Sequence, residues 1–220
     1  MKQELWSKVD DYLAALLVRQ DADLAAASAH SEQAGLPAIS VSPPLGKLLH
    51  LLVRMSAARN ILEIGTLAGY STIWLARALE PGGRVVTLEI DSTHADVARE
   101  NFRRAGVEGA IDIRVGRAID TLPALAGSEP FDFIFIDADK ESLPEYFSWS
   151  LKLSRPGTTI VVDNVIREGA VVDAHSTDPR VQGVRRFNAM VAAEPRVSAT
   201  AVQTVGSKGY DGFALVLVVE

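Results

Sequence analysis

A chain of 220 residues with 48% hydrophobic and 23% charged side chains has the composition of one globular domain. The formal net charge of −6 gives no reason to expect a nucleic-acid partner, and the lack of cysteine excludes disulfides, thiolate metal sites and cysteine nucleophiles. The polar opening Met1-Lys2-Gln3-Glu4 predicts no secretory signal and no apolar run is long enough for a bilayer, so a soluble, cytoplasmic protein without a membrane partner is expected.

Residues 3 to 19 are predicted as an amphipathic helix with Leu5, Val9, Leu13, Leu16 and Leu17 on one side. Residues 21 to 34 are alanine-rich and helical, stopped by Gly35 and Pro37. Ala38 to Pro44 reads as a loop. Pro43 and Pro44 suit the first turn of a third helix carrying Leu45, Leu48, Leu49, Leu52, Val53 and Met55. This helical front, residues 1–57, suits packing or oligomer contact, or a lid over a site.

Residues 58–220 alternate strand and helix signals. Ile61, Leu62 and Ile64 form a run fit for a strand buried on both faces, and Glu63 interrupts it. A carboxylate there must be held by a partner or must hold a ligand. Gly65 and Gly69 follow, and Tyr70, Ser71 and Thr72 open an apolar helix. A glycine turn between strand and helix brings backbone N–H groups close to a ligand. Its spacing, Gly-x-x-x-Gly without Gly-Lys-Ser, is neither the dinucleotide fingerprint nor a phosphate loop. Further strands are predicted at Arg84–Ile90, Ile111–Val115, Phe131–Ile136, Thr158–Val162, 197–204 and 212–219. Helices are predicted at Ser92–Ala105, Ala118–Ala126, Glu141–Leu153 and Pro179–Ala193. Repeated β-α units imply a parallel sheet with helices on both faces, and the last two strands, lacking a helix between them, imply one antiparallel member. With no linker or repeat, residues 1–220 read as one domain.

In an open α/β sheet, ligands sit beyond the carboxyl ends of the strands. Those ends read Glu63-Ile64-Gly65, Glu89-Ile90-Asp91, Gly116-Arg117-Ala118, Asp137-Ala138-Asp139-Lys140 and Asp163-Asn164. Glu89 lies about 20 residues past the glycine turn, where an acid commonly accepts hydrogen bonds from a ribose, although Glu89 or Asp91 could equally cap the next helix. Asp137 and Asp139 could merely cap the following helix, and Asp163-Asn164 could be only a turn. If the fourth and fifth strands are neighbours, Asp137, Asp163 and Asn164 converge, and three oxygen ligands suit a hard divalent cation such as Mg²⁺. Lys140 stands close enough to such a cation to serve as a base. The four histidines have no ligand spacing and read as surface or core fillers.

Glu63-Ile-Gly65-Thr66-Leu-Ala-Gly69-Tyr70-Ser71, Glu89-Ile-Asp91, Asp137-Ala-Asp139-Lys140 and Asp163-Asn164 together resemble the cation-dependent O-methyltransferases. That family includes catechol and caffeoyl-CoA O-methyltransferases and small bacterial members. The resemblance implies a doubly wound, mostly parallel seven-stranded α/β sheet of the Rossmann-like methyltransferase form. It implies S-adenosyl-L-methionine as cofactor, held by Val41, Glu63, Gly65, Thr66, Gly69, Tyr70, Ser71, Glu89, Ala118 and Asp137. It implies a divalent cation, Mg²⁺ or else Mn²⁺ or Ca²⁺, on Asp137, Asp163 and Asn164, with Lys140 as base. The acceptor implied is a vicinal dihydroxy aromatic, a small phenolic molecule, and the assembly implied is a homodimer. The rivals are a nucleotide-dependent oxidoreductase, which the glycine pattern disfavours, and a methyltransferase acting on RNA or protein.

Overall fold

The computed structural model describes residues 2–18 and 21–220. The front consists of α1 (Lys2–Leu17), α2 (Ala22–Gln33) and α3 (Pro43–Met55). Asp21 caps α2 by accepting from the N–H groups of Asp23 and Leu24, and Ser42 caps α3 ahead of the two prolines. The predicted first helix ran to residue 19, which lies outside the described residues. Its apolar stripe is not buried: no residue of α1 is, and Leu5, Leu16 and Leu17 are each at least 60% exposed.

The remainder is β1 (Asn60–Ile64), α4 (Tyr70–Ala76), β2 (Arg84–Glu89), α5 (Ser92–Arg104), β3 (Ile111–Val115), α6 (Ala118–Thr121), β4 (Phe131–Ile136), α7 (Leu143–Lys152), β5 (Ser154–Asp163), α8 (Pro179–Ala193), β6 (Val197–Gly206) and β7 (Gly209–Val218). Seven strands form one sheet in the order β3-β2-β1-β4-β5-β7-β6, with β7 antiparallel to both neighbours. Chain order reverses between β1 and β4, so the cleft of a doubly wound sheet opens there. Two apolar layers flank the sheet. One packs Leu62, Ile64, Ile134 and Ile136 against Phe147 and Phe187. The other packs Ile61, Phe133 and Phe135 against Leu49, Ile73 and Trp74.

Several boundaries differ from expectation, among them the last two strands, which run Val197–Gly206 and Gly209–Val218 rather than 197–204 and 212–219. The helix predicted over Ala118–Ala126 stops at Thr121 and tightens into a 3-10 turn over Leu122–Leu125, because Pro123 has no N–H for an α-helical bond. The helix predicted from Glu141 starts at Leu143, since Asp139 holds the Ser142 N–H in a turn before it. The fifth strand starts at Ser154 rather than Thr158, carrying Pro156 and Gly157 in an irregular pairing with β4.

Candidate active site

Strand register puts the acids in a row. Ile64 pairs with Leu88 and with Ile136, and Ile136 pairs with Val162. The next residue of each strand is therefore Gly65, Glu89, Asp137 and Asp163, side by side at the carboxyl edge. Gly65 has φ +102°, and a Cβ there would lie 2.1 Å from the carbonyl oxygen of Asp137. Only glycine lets β1 leave the sheet this close to β4.

Above this edge is a cleft of about 760 Å³, a size that suits a small ligand. Val41, Gly65, Thr66, Tyr70, Ser71, Glu89, Ala118, Asp137, Lys140 and Asn164 all line it. Glu63, Gly69 and Asp163 are not part of that lining. Gly69 has φ +81° and packs where a Cβ would lie 2.2 Å from the Phe102 ring, so it fits the turn against α5. Glu63 is completely buried and accepts hydrogen bonds from the Ser71, Thr72 and Thr87 hydroxyls. Its pKa is pushed up to about 7 by burial, which outweighs those three donors, with Asp137 adding repulsion. Of the two readings open for Glu63, the structure shows a carboxylate held by partners, bracing the turn from behind.

Glu89 does the corresponding job from the cleft side. Its Oε2 accepts from the N–H groups of Thr66 (3.2 Å) and Leu67 (2.7 Å), and its Oε1 accepts from Asp91 N–H at 3.0 Å. The cap of α5 is Asp91, which accepts from Thr93 and His94, so Glu89 is left to the turn and the cleft.

At the other end, Lys140 Nζ donates to Asp137 Oδ1 at 3.0 Å and is 6% exposed. The carboxyl of Asp163 is pushed up to about 7, first by burial and then by the negative charge of Asp137, with Lys140 opposing. Asn164 follows with φ +59°, a left-handed turn that brings it to the cleft. Asp211 holds this loop by accepting from Ile166, Arg167 and Gly212 N–H groups. Among the described residues no three carboxylate or imidazole groups converge as a metal cluster. The predicted trio has two carboxylates and one amide. Two acids crowded against one lysine nonetheless fit a further cation: burial and mutual repulsion are what raise Asp163, and a divalent ion relieves the repulsion.

Sequence reasoning missed Tyr146, Arg180 and His94, which also line the cleft. Tyr146 donates to Asp139, and this with burial raises its phenol above the ordinary range. Nothing in the helical spacing of α7 marked Tyr146 as different from its core neighbours. His94, which the sequence placed among surface or core fillers, lines the cleft. A titratable residue in the first turn after a strand-end acid was the available signal.

A family model described as O-methyltransferase matches residues 18–218. The chain belongs to the O-methyltransferase family. The methyltransferase is 56% identical over 220 residues to a protein named catechol O-methyltransferase from Niastella koreensis, covering 99% of this chain and all of that one. It superposes with a TM-score of 0.97 on an O-methyltransferase from Bacillus cereus in complex with SAH, at 58% identity, covering 98% and 99% of the two chains. A Streptomyces achromogenes O-methyltransferase involved in tomaymycin synthesis, in complex with SAM, gives the same TM-score at 53% identity over the whole of both chains. The methyltransferase sheet is thus the family's Rossmann-like form, mostly parallel with one antiparallel hairpin.

Proposed function

We propose that this methyltransferase moves the methyl of S-adenosylmethionine onto one oxygen of a vicinal dihydroxy aromatic, with a divalent cation at the Asp137 end of the cleft. The observation that carries the reading is the meeting of Asp137, Lys140 and Asn164 at one end of a cleft that Gly65 and Glu89 also line, with Asp163 beside Asp137 just behind that lining. Kinship with the catechol O-methyltransferase of N. koreensis supports the acceptor class, and relatives in complex with SAH and SAM support the cofactor.

Glu89 would take the ribose hydroxyls, Ala118 would lie by the adenine, and Val41, Gly65, Thr66, Tyr70 and Ser71, which line the cleft, would surround the methionine portion. Asp137, Asp163 and Asn164 would hold Mg²⁺, or Mn²⁺ or Ca²⁺, as oxygen ligands suited to a hard ion. When bound, the cofactor would supply an activated methyl, and the cation would supply Lewis acidity that lowers the pKa of adjacent phenolic oxygens. Lys140 takes the phenolic proton, its Nζ held in place by Asp137. Pro37, Ile39 and Val41, from the segment between α2 and α3, also line the cleft. Holding nucleophile and methyl in line can supply up to about 7–11 kcal/mol of barrier lowering.

Methyl transfer to a catechol panel and to matched monophenols tests the reading. Turnover of catechols alone is the expected result. Equal methylation of monophenols would remove the two-oxygen acceptor.

A further inference from the structure

Arg167 is a cation on the cleft wall whose donors are not used. It lies three residues past Asn164, at the cation end, and lines the cleft with its side chain 24% exposed. Among the described residues its guanidinium makes no hydrogen bond. Nε is buried without a partner, and Asp211 Oδ2 stands 3.7 Å from a terminal nitrogen. The carboxylates nearby are committed elsewhere. Asp211 Oδ1 accepts from the Ile166, Arg167 and Gly212 N–H groups, and Asp178 takes the Arg180 guanidinium at 2.7 and 3.1 Å. Arg180 is thereby tied, and Arg117, also on the wall, is 68% exposed and solvated. The backbone fixes Arg167 in place: φ is +54° there and +55° at Glu168, a left-handed pair pinned by Asp211 on the Arg167 N–H. A mostly buried guanidinium with five donors and no acceptor is costly until an acceptor comes to it.

We propose that Arg167 anchors a carboxylate carried by the acceptor, so that the enzyme prefers anionic catechols to neutral ones. The inference rests on the reading of the acceptor as a vicinal dihydroxy aromatic. An acceptor held only by its two oxygens at the Asp137 end still turns about that contact, and a second point of attachment fixes its orientation. A planar guanidinium pairs with a carboxylate through two parallel hydrogen bonds, which gives direction as well as attraction. Arg167 is thus a specificity-determining residue, remote from the methyl and the attacking oxygen. S-adenosylmethionine also carries a carboxylate, and the test separates the two sources.

The test uses the whole enzyme, loaded with S-adenosylhomocysteine and Mg²⁺, and two probes of the same shape, 3,4-dihydroxybenzoate and 3,4-dihydroxybenzamide. Calorimetry should show the parent binding the benzoate at least about tenfold more tightly than the benzamide, as a charge-assisted pair implies. Arg167→Gln should bind the benzoate about 10- to 100-fold more weakly, with KM raised to match and kcat within a few-fold. Its affinity for the benzamide, the control for an intact cleft, should stay within about twofold. Its affinity for S-adenosylhomocysteine should also stay within about twofold; a tenfold loss would assign the guanidinium to the cofactor's carboxylate and overturn the anchor. A variant that loses both probes alike overturns it too. If the parent methylates both probes but binds them alike, only the anchor falls. If the parent neither binds nor methylates either probe, the dihydroxy acceptor falls and the anchor with it.

Discussion

Glu63 and Glu89 are carboxylates on adjacent strands, yet one turns inward to three hydroxyls and the other turns to the cleft. Glu63 predicts a pH signature. A folded-state pKa of about 7 against an ordinary 4.5 means that the native state holds a proton the unfolded chain has released. Its contribution to stability is therefore present at acidic pH and is lost as pH rises from about 4.5 to about 7, by up to about 3 kcal/mol. Glu63→Gln, neutral at every pH, should show a flatter melting-temperature profile than the parent over that window. Asp163 titrates in the same range, so the difference between variant and parent, not the parent slope, is the measurement. Identical slopes would show that Glu63 is ionised in the fold. At the base, Lys140→Ala should bind S-adenosylhomocysteine within about twofold of the parent but turn over about 10²–10⁴-fold more slowly. The deficit should narrow at alkaline pH, where the phenol ionises unaided. A deficit that is constant with pH would assign Lys140 to positioning.

At the scale of elements, the turn from β1 into α4 sets the site. Gly65→Ala places a Cβ 2.1 Å from the Asp137 carbonyl at φ +102°, so β1 and β4 must part. Cofactor affinity should fall at least about tenfold, with a lowered melting temperature, in calorimetry and thermal unfolding. Unchanged affinity would mean that the turn tolerates displacement. Alternation of strands and helices and the acids at strand ends were legible because the 2.0 and 3.6 periods and strand-end chemistry are local in sequence. The division of labour between Glu89 and Asp91 was not, since either can cap α5 and only register settles which faces the turn. The same holds for Tyr146, which reaches Asp139 from the next helix, and for Asp211, which reaches back across 45 residues to the Asn164 loop. The α1 stripe was legible as apolar, but its exposure depends on what covers it.

For the whole molecule, that exposed stripe of α1 leaves an uncovered apolar face. Among the described residues no helix is long and apolar enough to cross a membrane. We propose that a second copy covers this face in an isologous homodimer. Light scattering at micromolar concentration should give twice the 23.6 kDa chain mass, and Leu16→Glu should return the monomer. A monomeric parent would contradict it.

The central claim joins the two ends of the cleft: a cofactor site at Gly65 and Glu89, and a cation site at Asp137, Asp163 and Asn164. Its most direct measurement is methyl transfer to a catechol in EDTA, followed by Mg²⁺, on the parent and on Asp163→Ala, with S-adenosylhomocysteine affinity measured on the same samples. The account predicts that EDTA abolishes turnover and Mg²⁺ restores it in the parent. It predicts that Asp163→Ala stays inactive with Mg²⁺ while still binding S-adenosylhomocysteine. Turnover that persists in EDTA, or an Asp163→Ala variant that Mg²⁺ restores fully, would contradict it.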